Sequence, residues 1–289
     1  MSGPTGVPQI IPATIKAELI RKNSLQNHLT AEPLRLITIA ISHYCEKVRW
    51  ALDKQAVSYI EEPHAPLFHR IATRSRGGKQ TVPVLLAPGG TLSDSTAILQ
   101  YLDTLRPSKR LYPAEPQLRR QVDKLEDLFD TQLGPATRRW AYSYLLNHPN
   151  LVLSLWRQGA SPFERAVLPV ISPLICRLVR QRYAVTATSA ATSYENIKRL
   201  FQQVNRRLAD GRSYLVGDRF SAADLTFAAL AAPALQPANY GPKHYRVERL
   251  RLNELPQAMT AQIQQLRETP AGAYALRLFR EDRHRPGNE

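Results

Sequence analysis

The sequence predicts an α/β unit followed by an all-helical unit, and three observations support this prediction. Between residues 34 and 105, short apolar runs alternate with segments whose apolar residues recur at helical spacing. The segment 107–116 contains three prolines and is typical of a linker. After this linker, the apolar pattern is helical throughout.

The elements of the α/β unit follow one another in the order strand, helix, strand, strand, strand, helix. The first helix is predicted from Val48, Ala51 and Leu52, which share one face at i, i+3 and i+4. Pro88-Gly89-Gly90 predicts a turn between two strands. The predicted elements are a strand over 34–41, a helix from Glu46, a strand over 57–61, a loop with a short helix over 63–79, strands over 82–86 and 91–93, and a helix over 95–105.

The second unit is predicted to consist of helices only. Helical spacing holds from 122 to 133, where Gly134-Pro135 is expected to kink or interrupt the helix. Ser221 and Asp224 have the spacing of a capping box, which indicates a structural role for Asp224. The further predicted helices cover 163–183, 193–209, 221–235 and 255–280, the last with a break at Pro270.

Length and composition limit the class of protein. At 289 residues, with 43% hydrophobic residues, the chain is expected to form two packed domains. We expect an N-terminal extension over 1–33, an α/β domain over 34–112 and a helical domain over 117–285. The only cysteines, Cys45 and Cys176, exclude a disulfide framework and a four-cysteine metal site and favour a reducing, cytoplasmic compartment. No apolar run has transmembrane length, and residues 1–33 lack the apolar core of a secretory signal, although N-terminal targeting stays open.

The chain is strongly basic, with 39 Lys and Arg against 24 Asp and Glu and a formal net charge of +15. Such a charge attracts anions, including nucleic acid and anionic surfaces. The arginines are spread along helical segments, without a zinc finger, RNA-recognition motif or basic zipper. A solvated basic surface is therefore predicted, with a polyanion partner as the alternative.

The segment Asp94-Ser95-Thr96 is the most informative part of the sequence. It places a carboxylate, a hydroxyl and free helix N–H groups together, which suits a ligand carrying both an ammonium and a carboxylate. An ordinary helix N-cap is the alternative. At an earlier strand-to-helix junction, Ser42 and Cys45 could present a hydroxyl and a thiol to the same ligand.

Four segments, in the correct order, resemble the soluble glutathione transferase superfamily. They are SHYCEKVRWAL (42–52), TVPVL (81–85), LSDSTAI (92–98) and GDRFSAAD (217–224). The resemblance covers about residues 34–282. It implies an α/β thioredoxin-like N-terminal domain that binds glutathione, followed by an all-α helical-bundle C-terminal domain.

The resemblance also implies how glutathione is bound. Pro83 corresponds to the family's cis-proline, which turns the backbone of Val82 toward the cysteinyl part of glutathione. Asp94 and Ser95 match the pair that holds the γ-glutamyl end. The carboxylate would meet the α-ammonium, and the hydroxyl and helix N–H groups would meet the α-carboxylate.

The serine at the first active-site position implies the mechanism. Ser42 is expected to donate a hydrogen bond to the glutathione sulfur and so favour the thiolate. The thiolate would attack an electrophilic carbon or a peroxide. Tyr44 is an alternative hydroxyl donor, and Cys45 an alternative redox thiol at the second position of a Cys-x-x-Cys-like site.

Two further parts of the site follow from the same resemblance. Gln80 is expected to support the glycyl end of glutathione, with Lys79 as the competitor. A hydrophobic electrophile is expected to bind in the helical half. Trp140, Tyr142 and Tyr144 could line its pocket, although aromatic residues at helical spacing are also typical of a core.

Three functions follow for testing. The first is a glutathione transferase, expected to be a homodimeric detoxification enzyme with glutathione as cosubstrate and no metal. The second is a non-catalytic binding or scaffold protein that uses its basic surface. The third is a glutathione-dependent thiol–disulfide oxidoreductase that uses Cys45.

Overall fold

The computed structural model describes residues 34–242, 247–248 and 250–284. The predicted N-terminal extension over 1–33 therefore lies outside the described residues, as does residue 285. Within the described part of the chain, a four-stranded sheet with helices is followed by a region of helices. This confirms the predicted fold class, a thioredoxin-like half followed by a helical half.

The N-terminal half is built around a mixed sheet with the strand order β2-β1-β3-β4. Strands β1 and β2 are parallel, whereas β1 with β3 and β3 with β4 are antiparallel. The elements are β1 (Leu34–Thr38), α1 (His43–Lys54), β2 (Tyr59–Pro63), α2 (Phe68–Ser75), β3 (Val84–Ala87), β4 (Gly90–Leu92) and α3 (Ser95–Leu105). A 3₁₀ turn, Pro107–Lys109, follows α3.

The C-terminal half is helical in the part of the chain that the structure describes. Its helices are α4 (Pro116–Leu128), α5 (Gly134–Leu145), α6 (Pro149–Trp156), α7 (Pro162–Arg182), α8 (Ala187–Leu208), α9 (Ala222–Leu235), α10 (Gln257–Arg267) and α11 (Pro270–Glu281). A 3₁₀ turn, Leu252–Glu254, precedes α10. Helix α9 is buried on nearly all sides, which suits its almost wholly apolar sequence.

The predicted interruption at Gly134-Pro135 is confirmed, and its form is a π-helical turn. Residues Phe129–Leu133 are wound with five-residue spacing, so that Gly134 N donates to Phe129 O. Pro135 has no N–H group for the α-helical ladder, and a wider turn accommodates that loss. Helices α4 and α5 are therefore joined without a loop.

The largest differences between predicted and observed helices concern α6 and α8. Helix α6 was not predicted, because its eight residues contain too few periodic positions to stand out from a loop. Helix α8 begins at Ala187 rather than near 193. Thr186 Oγ1 accepts from Ser189 N at 3.1 Å, and this local cap lets a stretch rich in Ser and Thr begin the helix.

Helix α1 carries buried charges that bind it to the helical half. Lys47 Nζ lies 2.8 Å from Glu126 Oε1 and 2.6 Å from Asp130 Oδ2, and its side chain is fully buried. On the same helix, Glu46 pairs with Arg49 at 3.0 Å. Since α1 follows directly on Ser42, the ion pairs of Lys47 fix the position of Ser42 relative to the C-terminal helices.

Candidate active site

Ser42 occupies the N-cap of α1, where the chain leaves β1 and enters the helix. Its backbone is extended, and its Oγ accepts a long bond of 3.4 Å from Cys45 N. The Ser42 side chain also forms a hydrogen bond with the Cys45 thiol, which lowers the pKa of that thiol. A hydroxyl that accepts through its oxygen still carries a proton to donate, so Ser42 is equipped to bind a sulfur at the helix start.

Cys45 lies one turn into α1 and is fully buried. Burial raises the pKa of its thiol to about 11, although the charge of Arg49 and the hydrogen bond with Ser42 act in the opposite direction. A thiol with this pKa is almost entirely protonated at neutral pH, so it is a poor nucleophile.

Tyr44 lies beside Ser42, but its hydroxyl is engaged. Tyr44 Oη donates to the backbone oxygen of Asp130 at 2.7 Å, across the junction between the two halves. Burial raises the pKa of Tyr44 well above its ordinary value. The ring therefore forms a wall of the site, while its proton is held by a backbone carbonyl.

The Val82–Pro83 peptide bond is cis, as the resemblance implied. Pro83 is buried just before β3, whereas Val82 is half-buried. Gln80 is exposed, and its Oε1 accepts from Arg70 Nε at 3.0 Å. Lys79 N donates to Ser93 Oγ at 3.1 Å, which ties the approach to the cis bond to the residue before Asp94.

Asp94 caps α3 with its own side chain. Its Oδ1 accepts from Ala97 N at 2.9 Å, and the residue is exposed, whereas Ser95 is 7% exposed at the first helical position. One carboxylate oxygen is used by this cap. The structure therefore shows the N-cap that was the alternative interpretation, and a ligand role for the second oxygen stays a prediction.

A cleft of about 690 Å³ lies between the two halves. It brings together three of the predicted residues, Ser42, Gln80 and Val82, and Tyr44 also lines it. Pro83, Asp94 and Ser95 are not among its lining residues. Its remaining wall includes apolar residues of the helical half, namely Leu145, Leu155, Ile175, Leu178 and Val179.

Of the three aromatic residues for which both a pocket and a core position were open, only Tyr142 lines the cleft. Trp140 is buried in the core, with Nε1 donating to Gln262 Oε1 at 2.6 Å, and Tyr144 Oη donates to the same oxygen at 3.1 Å. Sequence reasoning missed Arg138, which also lines the cleft. No local signal separates it from the other helical arginines.

Within the described residues, no group of three or more His, Cys, Asp or Glu is placed to hold a metal ion. Among the same residues, none of the helices has the length and apolar character needed to span a membrane.

Family comparisons match both halves of the chain. A model of the glutathione S-transferase N-terminal domain matches residues 36–110, which include Ser42, Gln80, Val82 and Asp94. A model of the glutathione S-transferase C-terminal domain matches residues 185–250. The two domains occur in the order that the structure shows.

Several solved structures share the fold with TM-scores above 0.5. A glutathione S-transferase from Methylobacterium radiotolerans, in complex with glutathione sulfonate, is 19% identical with a TM-score of 0.51, covering 89% of this chain and 97% of that one. The beta-etherase LigF from Sphingobium sp. strain SYK-6 is 17% identical with a TM-score of 0.53, covering 85% and 99%. A theta class glutathione S-transferase from Xanthomonas axonopodis pv. citri, with glutathione bound, is 18% identical with a TM-score of 0.51, covering 85% and 98%. At these identities the likeness establishes the fold.

One curated relative matches over a short stretch. Maleylacetoacetate isomerase from Rattus norvegicus is 43% identical over 54 residues, which is 19% of this chain and 25% of that protein. The chain thus spans about a quarter of the length of this relative.

Proposed function

Because the chain belongs to the soluble glutathione transferase superfamily, we propose that it is a glutathione transferase in which Ser42 activates the thiol of glutathione. One observation carries the proposal. Ser42, at the N-terminus of α1, and Val82, at the cis bond, line the same cleft. A thiol held by the Val82 backbone would lie within the cleft that also contains a hydroxyl donor.

The residues around the cleft fit the tripeptide. Val82 precedes β3, so its backbone groups are available at the cleft for the cysteinyl part of glutathione. Asp94 uses one oxygen for its cap and would offer the other to the α-ammonium. Gln80, held by Arg70, would support the glycyl end. The γ-glutamyl end would then extend outside the cleft, along the start of α3.

The proposed chemistry is stabilisation of a thiolate. A hydrogen bond from Ser42 and the N-terminal end of the α1 dipole both favour the charged form of the sulfur. Lowering a thiol pKa of about 8.5 by about 2 units requires about 2.7 kcal/mol of differential stabilisation. The thiolate would attack an electrophilic carbon, displacing a leaving group. Alternatively, it would attack a peroxide oxygen, which breaks the O–O bond, gives the sulfenic acid of glutathione and releases an alkoxide that takes up a proton.

The contacts of Tyr44 and Cys45 favour Ser42 over both. The hydroxyl of Tyr44 already donates to Asp130 O, and the Cys45 thiol is buried with a pKa of about 11. A thiol–disulfide function would need Cys45 to be exposed and ionised. We therefore rank the oxidoreductase alternative below the transferase.

The experiment that tests the proposal is calorimetry with glutathione, followed by a turnover assay with a generic aryl or benzyl halide. Saturable glutathione binding and enzyme-dependent conjugation are expected. Binding without turnover of halides or peroxides would favour the non-catalytic scaffold. In that case, retention on heparin that falls steeply with salt would identify the basic surface as the functional one.

We also propose that the enzyme acts in detoxification, as a homodimer in the cytoplasm. Light scattering of the purified chain measures its oligomeric state directly, and a monomer at micromolar concentration would contradict the proposed homodimer.

A further inference from the structure

Arg138 lines the cleft and is half-buried. Its Nε is buried and has no partner in the described part of the chain. The group lies over the ring of Tyr183, with Cζ 4.1 Å from the centroid, and 5.8 Å from the centroid of Tyr44. The aromatic faces hold the cation in place, but they cannot accept its in-plane N–H bonds.

The adjacent arginine, Arg139, has hydrogen-bond acceptors for its guanidinium. Arg139 Nε donates to Tyr183 O at 2.8 Å, and Arg139 Nη1 donates to Ser193 Oγ at 3.1 Å. Arg139 is therefore a structural residue that ties α5 to α8. Arg138 lines the cleft and is half-buried, but its Nε has no corresponding acceptor among the described residues. Buried donors in native proteins are normally paired, so this one points to a missing acceptor.

The charge of the cleft indicates the sign of that acceptor. Three arginines line the cleft, Arg70, Arg138 and Arg182, and no aspartate or glutamate lines it. Arg70 is bound to Gln80, and Arg182 is exposed to solvent, which hydrates its charge. Of the three, Arg138 is the half-buried arginine whose Nε has no acceptor among the described residues. A planar anion in the cleft would supply a hydrogen-bond acceptor for this guanidinium.

The surroundings of Arg138 indicate the rest of the ligand. Tyr183 stacks on Tyr142 with the rings nearly parallel and 6.0 Å apart. The apolar wall formed by Ile175, Leu178 and Val179 belongs to the same cleft. This wall suits an aromatic or similarly apolar body, whereas the sheet side with Gln80 and Val82 offers polar groups.

We propose that Arg138 binds the carboxylate of the electrophilic substrate, so that the enzyme prefers apolar electrophiles that carry a carboxylate. This inference rests on the proposed transferase function, whose cleft it shares. Arg138 would position the body of the substrate against the apolar wall, with its reactive carbon toward Ser42.

The test compares one electrophile with and without the charge, para-(bromomethyl)benzoate and its methyl ester. In both reactions the sulfur–carbon bond forms, the carbon–bromine bond breaks, bromide leaves with the electron pair and the thiol proton passes to solvent. The variants are Arg138→Met, Arg138→Lys and, as a matched control, Arg177→Met, an exposed arginine outside the cleft lining. Circular dichroism and melting curves confirm that each variant is folded.

In Arg138→Met we expect the KM for the carboxylate to rise roughly tenfold or more, since a charge-assisted bidentate contact is lost. The KM for the ester and for glutathione should stay within about twofold, and Arg138→Lys should be intermediate. Equal losses for acid and ester would overturn the proposal. A selective rise in the KM for glutathione would also overturn it, because Arg138 would then serve the tripeptide.

A binding measurement separates this proposal from the proposed function. Calorimetry with para-toluate, an unreactive carboxylate, needs no turnover. Binding to the wild type and to Arg177→Met, with loss in Arg138→Met, would support the carboxylate site even if neither halide reacts. Absence of para-toluate binding to the wild type, together with no preference for the acid in turnover, would contradict a carboxylate site at Arg138.

Discussion

Arg283 Nε lies 2.6 Å from Glu46 Oε1, although 237 residues separate the two in sequence, and both side chains are fully buried. Arg283 also donates to Asp53 Oδ2 at 2.7 Å and to Gly241 O at 2.6 Å. Burial disfavours the charged form of Glu46, but the charges of Arg283 and Arg49 outweigh it and lower the pKa of this carboxyl. Arg283, which follows α11, thus holds helix α1, whose N-cap is Ser42.

We expect Arg283→Met to destabilise the protein by about 3–5 kcal/mol, because it removes one partner of a buried ion pair. Denaturant unfolding measures the change. Arg280→Met is the matched control, since its exposed ion pair with Glu281 should be worth less than about 1 kcal/mol. Equal stability of the two variants would contradict a role for Arg283 in holding α1.

We expect Ser42→Ala to lower conjugation at least about tenfold, as the thiolate loses its hydrogen bond. The pH–rate profile should shift as well, with its apparent pKa rising toward the free thiol value of about 8.5. Loss of the helix cap costs on the order of 1 kcal/mol, so stability is measured in parallel. Ser58→Ala, at an exposed loop position, is the control. Full activity in Ser42→Ala with an unchanged profile would remove the proposed mechanism.

The two cysteines should differ in reactivity toward iodoacetamide. With a pKa of about 11, the Cys45 thiol is ionised in only about one protein molecule in a thousand at pH 8. The side chain is also buried. We expect Cys176, which is partly exposed, to be alkylated at least tenfold faster in the native protein, as mass spectrometry of peptides would show.

Denaturation provides the control for that experiment, because both thiols should then react at similar rates. Alkylation of native Cys45 as fast as that of Cys176 would show that its thiol is accessible, and the oxidoreductase alternative would regain support.

Gly134 has no room for a side chain. A Cβ at this position would lie 2.7 Å from Tyr44 Cζ and closer still to Oη, which the bond to Asp130 O holds in place. Although alanine favours the helical backbone of Gly134, we expect Gly134→Ala to destabilise the protein by about 1–2 kcal/mol through overpacking. Gly89→Ala, where a Cβ meets nothing, is the control, and denaturant midpoints are the measurement.

A double variant tests the cause of that destabilisation. Removing the Tyr44 hydroxyl relieves the closest contact, so Gly134→Ala with Tyr44→Phe should cost less than the sum of the single changes by about 0.5 kcal/mol or more. Additive costs would show that the loss arises elsewhere than at Tyr44.

The sequence determined the elements whose signals are local. Asp94 caps α3 through a bond to Ala97 N, and Ser42 caps α1 through a bond to Cys45 N, each spanning three residues. The strand-to-helix junctions could therefore be located from residue type and spacing alone. Boundaries were less certain where spacing was weak, as in α6 and at the start of α8.

Only the tertiary structure decided what each helical side chain does. Arg138 and Arg139 are neighbours with identical side chains, yet one faces the cleft and the other bonds to Tyr183 O. The partners of Tyr44 and Glu46 lie far away in sequence, at Asp130 and Arg283. Local spacing fixes which face of a helix is apolar, but the acceptor that a long polar side chain reaches depends on which elements pack beside it.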